Sequence, residues 1–447
     1  MIVEFSFQNF MSFPHEATFS MAASNTVKEM EGSNGFSNVV QLKDADLKLL
    51  KVGAVYGANA SGKSNLISAI SFFKLMVINS FLDENILKDS AKIKFLLSTE
   101  GQSSPASFEM IFIIKDTRYR YGFEIKDDVV QTEWLFKRPL DASRESYCFT
   151  RENGEIKINS KTFKGAGRLE SKTRANALFL STSAQFNVET SMEIKDWFNT
   201  QLHILVAPEQ PMQFTARQFM TDDWMKQRVL NFIRLIDLGI EDLNVSERTI
   251  DMNNDTEARL RQISIELARM INPENKELKR LDISASHSVY NGDELIRKQS
   301  FPFELESLGT NKIFSLLGPW FDCLRDGGTL VVDEFGASLH THLAMEMIRL
   351  FQSQMNNNGA QLIVTTHDTN LLRRDLLRRD QIWFVEKNRK GESDLYSLVE
   401  YKINQAQSVR NDASYQKDYL VGKYGAIPYF GNIEQFITDY SDDGVQE

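Results

Sequence analysis

The sequence is poor in the residues that staple, chelate or anchor a chain. Only two cysteines occur among 447 residues, Cys148 and Cys323, with no CxxC or CxH spacing. That excludes a disulfide framework and a thiolate zinc site, and leaves buried apolar thiols as the expectation. No apolar run approaches the roughly 18 residues of a membrane span; the longest, such as IFII at 111–114 and TLVV at 329–332, have the length of strands. The opening MIVEFSFQNFMSF lacks the basic start and unbroken apolar stretch of a secretory signal, so a cytoplasmic location is expected. Positive charge is not in excess either. With a formal net charge of -10, any nucleic-acid contact would need a local basic patch. Repeats, low-complexity tracts and long heptad runs are also missing. What is present, 42% hydrophobic and 25% charged residues, is the composition of a globular protein with chain enough for a large α/β domain plus an insertion.

Apolar periodicity lays out the order of elements. Residues 1–20 alternate and break at Pro14, as a strand pair would, and residues 24–46 read as a loop. LKVGAVYG at 50–57 reads as a buried strand and SNLISAISFFKLMV at 64–77 as a helix. Period-two alternation over 106–138, with turns at Lys115-Asp116 and Lys126-Asp127, predicts an antiparallel meander, and NALFLSTS at 176–183 predicts a further short strand. Helical patterns at 223–238 and 256–271 predict a helical middle lobe. Strand signals return at 328–335, 360–368, 381–387 and 394–401, the first two with a helix between them, which is the alternation of a parallel sheet.

Between the first buried strand and its helix lies Gly57-Ala58-Asn59-Ala60-Ser61-Gly62-Lys63-Ser64, followed by Asn65, which matches GxxxxGK[ST] in the context that motif requires. Backbone N–H groups of such a loop and the helix N-terminus converge on phosphate oxygens, the lysine reaches the terminal phosphates, and the hydroxyl of Ser64 ligates magnesium. A nucleoside triphosphate with Mg2+ is therefore expected there. Leu330-Val331-Val332-Asp333-Glu334 supplies an apolar strand ending in two acids. Asp333 is placed to hold the metal, and Glu334, pointing elsewhere, to act as general base on the attacking water. His367 ends the next predicted strand, where a donor could reach the γ-phosphate.

The order of phosphate loop, Glu306-Ser307-Leu308-Gly309-Thr310-Asn311, VVDEF, Ser338-Leu339-His340 and TTHD resembles the ABC-type ATPase heads of the SMC, RecF and OLD (overcoming lysogenisation defect) group. Asn9-Phe10 and Ser12 likewise match the NFxSF of their first strands. Within that group ESLGTNK, DEF-x-x-SLH, NNGAQLIVTTHDTNLL, RRDQIWFVEK and GKYGAIP look like the RloA and abortive-infection (AbiL) type of AAA-family ATPase. The resemblance implies an α/β fold, an ABC-type P-loop ATPase head whose mixed sheet carries an antiparallel β subdomain, with an inserted helical lobe. It divides the chain into an N-terminal ATPase lobe (1–190), the helical lobe (191–305), the half of the core bearing signature, acids and histidine (306–400), and a C-terminal docking segment (401–447).

In that family Ser307 and Gly309 stand in for the usual LSGGQ signature, of which only these two match. The resemblance makes them contacts to the nucleotide of a second chain, so that two heads pair head to tail around two ATP molecules, as a homodimer or a larger assembly built from it. It also implies a glutamine that senses magnesium and water, for which Gln185 sits in the right place and Gln131 and Gln210 compete. The implied catalytic set is Lys63, Glu334, His367 and Gln185, with Ser64, Asp333 and Gln185 around the metal. The implied function is an ATP-driven switch over a separately encoded effector, such as a nuclease or toxin, in anti-phage defence. A RecF-like DNA-repair ATPase is the alternative. A self-contained nuclease is the third reading, for which Glu386, Glu392, Asp439, Asp442 and Asp443 offer carboxylates. His340-x-His342 is a weak metal spacing, and LLRRDLLRRD at 371–380 is expected to form a solvated, self-paired helix.

Overall fold

A strand that is apolar at every position needs cover on both faces. In the computed structural model Val52–Tyr56 has that cover, being buried throughout at the heart of a six-stranded sheet. The structure describes residues 1–27, 36–42, 47–206, 210–236, 239–251, 277–403, 407–408 and 413–427. The strands of this sheet lie in the order Leu202–Leu205, Thr329–Val332, Gln361–Thr365, Val52–Tyr56, Ile382–Lys387, Ser393–Ser397. The first five run parallel and the last antiparallel to its neighbour.

Alternation along these strands sends successive side chains to two cores. Val55, Val331 and Ile363 join Phe73 of the helix Lys63–Asn79 and Phe5, Phe108 and Phe123 of a second sheet. Ala54, Val332 and Val364 join Phe314 and Trp320 of the helix Leu308–Asp326 and Met347 of Thr341–Gln352. The second sheet is a seven-stranded antiparallel meander formed by residues 2–20 and 106–158. One turn falls at Lys115-Asp116 as expected, the next at Asp127-Asp128, one residue beyond the expected Lys126-Asp127; Lys115, Asp127 and Asp128 have positive φ, and Asn153-Gly154 makes one more turn. The fold is thus the expected mixed α/β arrangement of a parallel-stranded core with an antiparallel subdomain. Cys148 and Cys323 are free and buried. Among the described residues no helix is long and apolar enough to cross a membrane.

Four expectations need correction. NALFLSTS does not form a strand; Phe179–Gln185 is a helix. Its first amides are held by a carboxylate from far away, since Glu133, fully buried, accepts from Phe179 N (2.7 Å), Leu180 N (2.9 Å) and Tyr121 OH (2.9 Å), with Arg151 at 3.9 Å. A short apolar run is ambiguous between strand and helix, and this distant cap decides it.

The segment 191–305 is not a helical lobe alone. Strand Leu202–Leu205 enters the main sheet, the helices Gln210–Thr221 and Asp223–Leu235 follow, and Asp242–Asp251, Glu277–Asn291 and Glu294–Pro302 then form a three-stranded antiparallel sheet. The helix expected at 256–271 lies outside the described residues. LLRRDLLRRD pairs with itself as expected, Arg373 with Asp375 and Arg378 with Asp380, but makes no α-helix. Partners two residues apart would face different sides of one. The second pair is buried, and Asp380 also accepts Ser24 N at 2.8 Å.

Finally, the C-terminal segment docks on its own chain: Tyr419 stacks on Phe384 at 5.3 Å, and Tyr424, fully buried, gives its carbonyl to Tyr396 OH. Residues 428–447, with Pro428, Phe430, Asp439, Asp442 and Asp443, are outside the described part.

Candidate functional site

The main sheet's strands end together, and the loop 57–62 leaves Val52–Tyr56 at that end. Its two outer glycines are required by what surrounds them. A Cβ on Gly57 would stand 2.3 Å from the Val385 carbonyl. One on Gly62, whose φ is +118°, would stand 2.6 Å from Ser393 Oγ and 2.8 Å from Ser12 Oγ. Those two hydroxyls seat the loop. Ser393 Oγ bridges Ser12 Oγ (2.7 Å) and the Ser61 carbonyl (2.5 Å), while Asn65 donates to Ser12 Oγ at 2.7 Å. Ser12 belongs to the NFxSF stretch, so the first hairpin of the antiparallel sheet is what braces the loop.

Lys63 is almost fully buried and donates to the carbonyls of Gly57 (3.0 Å) and Ala58 (2.9 Å). Burial lowers its pKa to about 8, against the opposing pull of Asp333 and Glu334. Ser61 Oγ is buried without a hydrogen-bond partner, and Asn59, Ala60 and Ser64 are exposed beside it. A helix N-terminus, a buried ammonium and an orphaned hydroxyl in a loop too tight for side chains fit a polyphosphate, with Ser64 free to reach a metal. One measurable consequence concerns pH. A bound phosphate stabilises the lysine cation, so binding should take up protons near pH 8 and weaken as pH rises above about 8. Calorimetry in buffers of different ionisation enthalpy reads the proton count; a pH-independent affinity between pH 7 and 10 would contradict it.

Asp333 follows the strand Thr329–Val332, and its backbone N–H donates to Leu205 O at 3.0 Å. Thr365, ending the next strand, donates its hydroxyl to Asp333 Oδ1 and accepts Glu334 N at 2.9 Å. Glu334 is exposed and sits at φ 52°, a left-handed conformation costly for a residue with a side chain. His367 leaves the same strand end. Desolvation, then the Lys63 charge, lowers its pKa, while Glu334 and Asp333 oppose them. Lys63, Asp333, Glu334 and His367 thus lie near one another at this end of the sheet.

Ser307 and Gly309 point to a different neighbourhood. Ser307 Oγ caps its own helix by accepting Thr310 N at 3.1 Å, and both residues line a groove with Ser338, His340 and His342 rather than the phosphate loop. The two histidine rings stack 5.5 Å apart, and no group of three metal-ligating side chains occurs among the described residues.

Gln185 must be withdrawn from the site. Its helix packs at the far end of the phosphate-loop helix, where Ser80 Oγ accepts Leu178 N at 3.1 Å and the rings of Phe81 and Phe186 lie 6.1 Å apart. The intervening 17-residue helix is about 25 Å long, so Gln185 cannot reach the loop. Gln131 stays within the antiparallel sheet, its carbonyl accepting Asn153 N. Residues missed by sequence reasoning lie instead along a cavity beside the acids, lined by Gln213, Lys312, Asp333 and Glu334. Gln213 Oε1 is buried there without a partner. The signal was the apolar LHIL at 202–205, a strand parallel to the acid strand whose exit must open beside Asp333. Gln210 opens the following helix.

Comparison with known proteins bears on these features. No curated protein matches the sequence. Similar solved structures include the SmcHead bound to the C-winged helix domain of ScpA (16% identity, 89% of this chain and 97% of that chain, TM-score 0.41). The SMC head domain from Thermotoga maritima (16%, 89% and 98%, 0.38) is another. So is the Smc head domain with an extended coiled coil bound to the C-terminal domain of ScpA derived from Pyrococcus furiosus (16%, 91% and 97%, 0.34). A family model described as "AAA domain, putative AbiEii toxin, Type IV TA system" matches residues 53–373. That span runs from the strand before the phosphate loop to beyond His367, well over half of the sequence, and the chain belongs to this AAA-domain family.

Proposed function

We propose that this chain binds ATP with magnesium, hydrolyses it in a head-to-tail dimer, and works as a switch over a separately encoded effector. The observation that carries the reading is the convergence of Lys63, Asp333, Glu334 and His367 at one end of one sheet. Lys63 gives up its loop carbonyls for phosphate oxygens, Ser64 and Asp333 hold the metal, and Glu334 accepts the proton of the attacking water. His367 donates toward the γ-phosphate. Magnesium supplies charge neutralisation on the phosphate oxygens.

Pairing is supported by the placement of Ser307 and Gly309 away from their own phosphate loop, and by Leu305 and Leu308, 72% and 80% exposed on either side of Ser307. Apolar side chains so exposed around a helix start suit a surface that a second copy covers. Defence is the biological setting that the toxin–antitoxin description of the family favours. A nuclease reading gains nothing from Glu386, whose carboxylate approaches Tyr396 OH at 3.4 Å and which belongs to no metal-ligating cluster among the described residues.

Mixing decides whether two chains build each site. A Lys63→Ala chain and a Gly309→Asp chain are each expected to be inactive alone. Their heterodimer keeps one intact composite site, so up to about half of the wild-type turnover per dimer should return if the two sites act independently. Verified heterodimers without turnover would favour a site complete within one chain.

A further inference from the structure

We propose that Lys312 is a positioning residue, tying the helix that begins at Ser307 to the turn that carries Glu334 of the same chain. The inference rests on the ATPase reading above and goes beyond it in assigning a role within one subunit. Lys312 lies on the helix Leu308–Asp326, and its Nζ donates to the carbonyl of Glu334 at 3.3 Å. That carbonyl belongs to the residue held at φ 52°. From the sheet side the turn is fixed by Thr365, whose hydroxyl accepts Glu334 N and whose carbonyl accepts Phe335 N at 2.8 Å. Lys312 is the matching tie from the helix side.

Packing alone does not do this work. Beside Lys312, Asp333 and Glu334 lies a cavity of about 590 Å³, so the turn is not wedged in place from that direction. The helix start, in contrast, is tight against the continuation of the same turn: a Cβ on Gly309 would stand 3.0 Å from the Ser338 carbonyl. A shift of Gly309 toward Ser338 therefore has little room unless the turn gives way, and Lys312 links Glu334 to that same helix. Burial pushes the lysine's pKa down, and the charges of Glu334 and then Asp333 oppose that shift.

Lys312→Met should lower kcat tenfold or more, leave affinity for a fluorescent ATP analogue within about twofold, and leave Tm nearly unchanged; Lys312→Arg should restore most of the turnover. Heterodimers separate positioning from damage to the helix start. In a dimer whose only competent phosphate loop is on one chain, Lys312→Met on that chain sits with the working Glu334 and should abolish most turnover. The same change on the Lys63→Ala chain, which lends Ser307 and Gly309, should leave turnover at the level of the parent heterodimer. Equal loss from both placements, or loss from neither, would overturn the assignment. A wild-type chain without ATP turnover would instead overturn the ATPase reading itself.

Discussion

Lys63→Ala is expected to weaken ATP binding a hundredfold or more and to leave no measurable turnover. The side chain is only 5% exposed, and its ammonium already bridges two loop carbonyls where phosphate oxygens are expected to compete. Charge-assisted hydrogen bonds contribute roughly 1.5–3 kcal/mol each, so two of them to a polyphosphate account for about two decades or more of affinity. Misfolding can be told apart from lost binding by the sign of the stability change. Because burial lowers the folded pKa to about 8, at neutral pH the folded chain holds a cation that the unfolded chain solvates better. Removing it should leave the nucleotide-free protein no less stable, while the rise in Tm that ATP gives the wild type disappears. An affinity within threefold of wild type, measured by titration with Mg2+, would remove the loop from nucleotide binding.

The parts legible in the sequence were those whose signal is local. The loop 57–64 announces itself because a buried strand, a fixed spacing of glycines and a helix follow one another within 30 residues, and the acid pair because three apolar residues end in two carboxylates. The meander over 106–138 was legible for the same reason, alternation with a two-residue turn at each reversal.

What failed depended on partners distant in sequence. Helix Phe179–Gln185 starts on Glu133, and with it the expected place of Gln185 moved to the wrong end of the phosphate-loop helix. Strand Leu202–Leu205 has only four residues and was absorbed into a supposed helical lobe, although its pairing with Thr329–Val332 brings the following residues beside Asp333. Strand Glu294–Pro302 is exposed at nearly every position, so it lacks the alternation that would have revealed it. Lys312 stood in view within ESLGTNK, but a lysine on a helix gives no hint of the carbonyl it will meet 22 residues later.

The second large effect is expected from Glu334→Gln, which should keep ATP bound and lower turnover by a factor of roughly a hundred to ten thousand. The substitution is close to isosteric, and Glu334 is exposed, so no core packing is lost. The turn itself is held through backbone atoms: Glu334 N to Thr365 Oγ1 and Glu334 O to Lys312, neither of which the change touches. What goes is the ability to take a proton from water at neutral pH. Asp333 next door answers to a different test, since its carboxylate accepts Thr365 and is placed for the metal; Asp333→Asn should weaken Mg-ATP binding as well as turnover. The pair of variants therefore separates affinity from chemistry at adjacent residues. If ATP closes a dimer, Glu334→Gln should also accumulate it, visible as a doubling of mass on adding ATP and Mg2+, and Gly309→Asp in the same chain should prevent the doubling. Turnover of Glu334→Gln close to wild type would take the general base away from Glu334. It would point to His367, a titratable side chain at the same strand end whose pKa is lowered by desolvation and the Lys63 charge and raised by the Glu334 and Asp333 charges.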